Sequence, residues 1–489
     1  MSTLPVRLDD WSDRLSPILV KEVRQMVRGR EFNYSFGLSL VVGLVVAFLA
    51  VAEAVTTIGV AGQQAFVALM VCLALLGLVV IPLGAFSALR SERVEQTLDL
   101  ITQTPLSPRR IVIGKLLAQS IKLITLFAGM SPFMAMSFLL GGIDLLTILT
   151  SLAVLFVLSV WVCAACLFLS AASHSRIMSG AFFIVLIAVG IIIVGNLGPL
   201  ALSVLGVAGV PVPARAMIWW ALGGMMAFAV MSTINFLLLA ENRLTLPIED
   251  RSTALRVGFF LQFLQIVGLI LGQTITAPGA IGGGPVSMTG LGHALGIYAG
   301  LQLAVTATFA VTEDMTVSRR VFRRIRRSLK RPWAIFRPGG GRGAAWILAQ
   351  MLVMLGIGAF LFPDDELKWL FVICSYVCFF TGVPTVLLKR VLQSRATAAY
   401  LRVGILLFFP IVGLSADFFQ YVLSPGKVFE GTYSAYHILS PLRTLFNWQY
   451  VLKVGWHWGV MGMGVIGLLS YLVLFIMNLR EDRRARAAY

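Results

Sequence analysis

This chain has little charge. Aspartate, glutamate, lysine and arginine together make up 12% of its 489 residues, where a soluble domain carries about 25%. Acids are the scarcer sign, with 22 against 39 lysines and arginines. Only Glu53 and Asp417 approach the long apolar runs, each near an outer end. Proton or sodium coupling uses ionisable groups deep in a membrane, so an ion-coupled transporter has few candidate residues here. The five cysteines all fall within apolar runs, and the Cys163/Cys166 pair lies mid-run rather than beside a βαβ pattern, which argues against redox chemistry. His174, His293, His437 and His457 are scattered without metal-ligand spacing. There is no GxxxxGK[ST] motif: Gly114-Lys115 is followed by leucine and lacks the earlier glycine. No paired-carboxylate site and no nucleophile with a base and an orienting partner can be assembled. The chain is therefore not expected to be an enzyme, to hydrolyse ATP or to bind a cofactor or metal directly. The first 34 residues lack a short apolar core followed by a cleavage site, so the first apolar run is expected to be an anchor.

What the chain has in abundance is apolar length. Hydrophobic residues account for 58% of it and mean hydropathy is +0.90. About twenty apolar residues cross the hydrocarbon as a helix, and roughly twelve such runs can be placed. They begin near Ser35, Gln64, Ser120, Leu146, Met178, Ala216, Val257, Thr289, Ala344, Leu367, Val403 and Gly455. The expected fold is all-α, a polytopic membrane protein of about twelve transmembrane helices. The formal net charge of +17 does not require nucleic acid. With the N-terminus in the cytoplasm, all the basic residues except Arg215, Lys368, Lys427, Arg443 and Lys453 fall on inner segments, as the positive-inside rule expects. Both termini are then cytoplasmic, in the cytoplasmic (inner) membrane.

Three segments between or before the runs have a character of their own. Ser16 to Arg28 reads as an interfacial helix, capped by Ser16 and opened by Pro17. It has Leu19, Val23, Met26 and Val27 on one face, with Lys21, Glu22, Arg24 and Arg28 around the remainder. Asn196 to Ala214 is apolar but broken by Pro199, Pro211 and Pro213, which suits an outer re-entrant hairpin buried against protein. Ser318 to Gly343 is arginine-rich, ending in Trp333, Phe336 and a glycine run, and suits either anionic lipid or a topological role. A further outer segment, Ser424 to Val454, holds Tyr433, Tyr436, Phe446, Trp448 and Tyr450 and suits the membrane interface. Gly292, Gly296 and Gly300, and likewise Gly268 and Gly272, recur every four residues and read as ridges for close helix approach.

The loop between the second and third runs carries the most local structure. Ser91 can cap a short helix through Ile101 with acids in its first turn, and Pro105 stops it. Ser107 and Pro108 then open a helix that passes through Arg109, Arg110, Gly114 and Lys115 into the third run. A surface helix, a sharp turn and a stiff helix entering the membrane can receive a push from a cytoplasmic partner and tilt a transmembrane helix.

The stretch ERVEQTLDLITQTPLSPRRIVIGKLLA resembles the first cytoplasmic loop of type-2 ABC exporter permeases, where an acidic ER-x-x-x-TL-x-L segment precedes TPLS, basic residues and an apolar GK-containing run. SPILVKEVRQMVRGREF resembles their N-terminal interfacial helix, and the proline-rich outer loop resembles their re-entrant hairpin. The resemblance implies a transmembrane permease working with a cytoplasmic ABC ATPase dimer, with ATP bound by that partner. It implies an ATPase-coupling loop comprising Glu92, Glu95, Thr97, Leu98, Leu100, Thr104, Pro105, Leu106, Ser107, Arg109, Arg110, Gly114 and Lys115. It extends over the first half only. The expected organisation is a tail and interfacial helix (1–34), a six-span permease domain (35–244) with coupling loop 90–117 and outer loop 196–214, and a second membrane domain of about six spans (245–489) with basic loop 312–343. The second half is either a diverged permease domain, giving six plus six, or an accessory domain beside a homodimer or second permease. An ion-coupled transporter and a lipid-binding membrane scaffold remain the alternatives from other classes.

Overall fold

The computed structural model describes residues 17–54, 61–94, 107–141, 143–173, 212–245, 249–276, 288–313, 335–361, 364–392 and 457–488, with scattered residues of 180–187 and 401–455. All regular structure among them is helical. Eight helices are long and apolar enough to cross a membrane, and Thr253–Leu269 and Gly296–Val311 are shorter apolar helices. Most of the fifth and eleventh expected runs, the outer loop up to residue 211 and the arginine cluster up to residue 334 lie outside the described residues.

The chain divides into two compact units, Met1–Thr245 and Leu246–Tyr489. In the first, α1 is Pro17–Arg28 and α2 is Arg30–Ala54. Proline suits the first helical position because its missing N–H would be unpaired there anyway. Leu19 and Met26, two turns apart, bury one face of α1, and α1 packs on α5 (Pro108–Leu139). The second membrane helix is interrupted: α3 (Ala61–Leu75) passes through a π-helical turn, Leu76–Val80, into α4 (Ile81–Val94). Pro82 has no N–H for the carbonyl one turn back, and the helix widens immediately before it. Helix α6 (Leu145–Ala172) is capped by Asp144, whose side chain accepts from Thr147 N, and α7 (Val212–Leu244) closes the unit. That start takes Pro213 and Ala214, expected in the outer loop, into the first turn of α7. Phe66, Leu73, Phe86, Leu123, Met130, Leu155 and Leu167 form the core of this unit. Leu38, Val41, Leu44, Phe48 and Leu49 of α2 point outward and are exposed. Such a greasy exterior suits lipid, where exposed leucine costs nothing.

The second unit contains α8 (Thr253–Thr276), α9 (Met288–Val311), α10 (Gly340–Leu361), α11 (Asp364–Leu392) and α12 (His457–Ala488). Of the glycine ridges, Gly296 faces Trp369 and Gly300 faces Ile373, so these two do admit α11. Gly268 has nothing beside it. Helices α11 and α12 also approach closely: a Cβ on Gly467 would lie 2.6 Å from Phe379 N and one on Gly464 2.3 Å from Ser375 Oγ. The Tyr471 and Thr381 hydroxyls hydrogen-bond across that seam at 2.8 Å.

The two units share one pattern of helix pairing. Counting α3 and α4 as one interrupted helix, the first unit pairs first with second, second with third, first with third, second with fourth, third with fourth, fourth with last and third with last. In the second unit α8–α9, α9–α10, α8–α10, α9–α11, α10–α11, α11–α12 and α10–α12 repeat that set one for one. Hydropathy alone does not carry this information, because it locates runs but not their neighbours.

Candidate functional site

The expected coupling loop and the expected interfacial helix meet at one buried side chain. Lys115 is 1% exposed although it is a lysine. Helix α5 has 32 residues, or about 48 Å at 1.5 Å per residue, against a hydrocarbon core of about 30 Å. The helix is therefore longer than the hydrocarbon is thick, which leaves room for polar partners beyond it. Lys115 Nζ donates to Glu22 Oε1 of α1 at 2.8 Å and pairs with Glu92 Oε1 of α4 at 3.0 Å. Lys21 Nζ, on α1, reaches the same Glu92 oxygen at 3.5 Å. Two lysines and two glutamates thus form a neutral cluster joining three helices, with Lys115 at its centre. Burying an isolated ammonium is strongly unfavourable, and two carboxylates within hydrogen-bonding distance offset that cost.

The other expected residues distribute as follows. Ser107 has extended geometry and Pro108 opens α5 as expected, but the serine side chain makes no capping hydrogen bond. Arg109 and Arg110 are exposed on the first turn, and Gly114 is buried beside Lys115. Arg24 and Arg28 are exposed on α1, away from the cluster. Ser91 does not begin a new helix: α4 runs through it to Val94, because Glu92 is held by the cluster and neither proline nor glycine lies between Gly84 and that point. Glu95, Thr97, Leu98, Leu100, Thr104, Pro105 and Leu106 lie outside the described residues. The pairing of Glu22 with Lys115 was not read from sequence, although there was a signal. Lys115 stands alone in the apolar stretch Ile111 to Ala118, and a buried cation needs an acid from elsewhere.

The second unit has a different cluster in a comparable place. Arg256, 3% exposed on the first turn of α8, donates to Glu313 Oε2 at 2.5 Å, just after α9. It also donates to the carbonyls of Ile335 (3.2 Å), Arg337 (2.6 Å) and Gly339 (3.1 Å), immediately before α10. Burial pushes the Glu313 carboxyl above the ordinary carboxylate range, against the pull of Arg256, the Gly339 N–H and Arg402. Arg337 in turn pairs with Asp250 at 3.3 Å. Nothing in the sequence singled out Arg256 or Glu313.

Among the described residues no group of three histidine, cysteine, aspartate or glutamate side chains is placed to hold a metal ion. All five cysteines are free. The chain matches no family model, no curated protein and no solved structure.

Proposed function

We propose that this protein is the transmembrane permease subunit of an ATP-driven ABC exporter, moving its substrate across the cytoplasmic membrane with energy from separate ATPase subunits. The observation that carries the reading is the Glu22–Lys115–Glu92 cluster. It fastens the interfacial helix α1, the end of α4 and the stem of α5 into one block at the two roots of the loop that resembles a coupling loop. A push on residues 95–106 is then delivered to α5 as a rigid helix rather than dissipated in a slack connection. In this reading the loop and both termini are cytoplasmic, the chain crosses the membrane twelve times, and the ATPase dimer supplies the ATP site.

The shared helix pairing supports the six-plus-six arrangement, in which the second unit is a diverged permease domain rather than an accessory one. A single chain then presents both membrane halves, with the recognisable coupling sequence on the first alone. The test is purification from native membranes in lipid nanodiscs. The chain alone should have no ATPase activity, and a cassette ATPase should co-purify with it. Glu95→Arg or Leu98→Asp should abolish that association while membrane insertion is retained. Normal association in both variants, or complete absence of an ATPase from the wild-type preparation, would overturn the proposal.

A further inference from the structure

The second unit contains buried amides whose hydrogen bonds are incomplete, at the middle of its helices. Gln350, 2% exposed, lies at the centre of the 22-residue α10, and neither its amide nitrogen nor its amide oxygen has a hydrogen-bond partner. Trp346, one turn before it, is equally buried, and its Nε1–H is likewise without an acceptor. On α9, Gln302 donates from Nε2 to Phe259 O of α8 at 3.0 Å, which leaves its Oε1 open.

Register places these groups together. Helices α9 and α10 approach so closely that a Cβ on Gly343 would lie 2.0 Å from the Ala310 carbonyl oxygen. The start of α10 thus lies against the end of α9, and the two helices run antiparallel. Gln350 lies about two turns beyond Gly343 on the same stripe of α10, and Gln302 about two turns before Ala310 on α9. The two amides therefore stand at about the same level of the neighbouring helices α9 and α10. A buried amide left unpaired is costly, and polar side chains inside a membrane are commonly functional. The first unit also has a buried amide without a hydrogen-bond partner, Gln119 on α5, but no glutamine or asparagine lies between Ala65 and Val94 on α3 and α4 to join it, so the pair of amides belongs to the second unit.

We infer that Gln302 and Gln350, with the Trp346 indole N–H, form a binding site for an uncharged hydroxyl group, either water or the hydroxyl of a lipid-like molecule. The chemistry defines the class. Two acceptor oxygens, one amide donor and one indole donor match a group that both gives and takes a hydrogen bond. An ion is disfavoured because α8 from Val257, all of α9 and α10 from Gly343 contain no aspartate, glutamate, lysine or arginine to balance it. The inference is independent of the exporter reading, since it concerns no ATPase contact.

X-ray hydroxyl-radical footprinting of the full chain in phosphatidylcholine nanodiscs tests it. Labelling of Trp346 reports ordered water beside it, and Trp369, 3% exposed, is the internal control of matched burial. Trp346 should label several-fold faster than Trp369, and Gln302→Leu/Gln350→Leu should bring it down to the Trp369 rate. Adding monoacylglycerol to the nanodiscs separates the sources: reduced labelling assigns the site to a lipid hydroxyl as well, and unchanged labelling assigns it to water. Equal rates at Trp346 and Trp369 in the wild type would overturn the inference without recourse to any variant. A fast Trp346 rate that survives the double substitution would overturn it also.

Discussion

Replacing Lys115 with methionine tests the ion cluster with little change of volume. The variant leaves the Glu22 and Glu92 carboxylates, each 11% exposed, facing the position that the ammonium held. Removing one partner of a buried ion pair costs about 3–5 kcal/mol, chiefly because the remaining charge is left uncompensated. The Lys21 contact adds little, because that side chain is 53% exposed and surface pairs contribute about 0–1 kcal/mol. The loss should fall on the docking of α1 rather than on the whole unit. Twelve residues are too few for a stable isolated helix, so an undocked α1 melts.

At about 1.4 kcal/mol per tenfold, amide exchange across residues 19–28 should accelerate by about a hundredfold or more, while α6 exchanges as in the wild type. Combining Lys115→Met with Glu22→Gln and Glu92→Gln should restore most of the protection, since no unpaired charge then remains. Unchanged exchange in α1 on replacing Lys115 alone would refute the claim that this cluster fastens it. Failure of the triple variant to recover would show that the shape of the lysine, not its charge, matters.

Three other outcomes can be measured alongside. Gly343→Ala should lower the thermal midpoint sharply, because its Cβ would meet the Ala310 backbone oxygen, whereas Gly268→Ala, with nothing within 4 Å, should be near neutral. Tyr471→Phe should destabilise the α11–α12 pair by about 0.6 kcal/mol, the average for interhelical hydrogen bonds in membranes, read as a small drop in midpoint. Arg256→Met should destabilise the second unit in a pH-dependent way. Because the Glu313 carboxyl is raised in the folded chain, the folded state binds its proton more tightly, and stability falls as pH rises above the ordinary carboxylate range. Melting curves at several pH values should therefore show the variant's deficit growing from acidic to neutral pH, and a deficit independent of pH would count against the pairing.

The helices were legible in the sequence because their signal is local. Ten of the twelve expected starts fall within or beside a described long helix, and Pro108 and Pro17 open helices where their chemistry places them. The limits of local reasoning show at Ser91, a good cap by type that lies inside α4. A cap forms only where the preceding helix ends, and here it continues to Glu92 under the hold of Lys115. Asp144 by contrast caps α6, because Gly141, at φ +83°, has already turned the chain. The site was half legible: α1 and the start of α5 could each be read from their prolines, but the bond from Glu22 to Lys115 spans 93 residues and appears only in three dimensions. The second unit was hardest, since Arg256 meets Glu313 and the carbonyls before α10 across 57 to 83 residues without any motif.

The two ion clusters indicate how the units differ in use. In both, a glutamate at the end of the second membrane helix meets a buried cation: Glu92 at the end of α4, Glu313 just beyond α9. In the first unit the cation is Lys115, on the helix that follows the loop, so a displacement of the loop moves cation, acid and α1 together. In the second unit it is Arg256, on the first helix, and it also grips three carbonyls leading into α10. The corresponding connection is thereby fastened to α8 at its far end, and a push on it is resisted by one charge-assisted bond to a carboxylate and three to backbone oxygens. Within the proposed exporter, equal helix pairing with unequal fastening makes the first unit the one through which motion would enter, with the second as the stiffer counterpart. Loosening Arg256 should then soften the second unit without impairing the proposed association of the first with an ATPase.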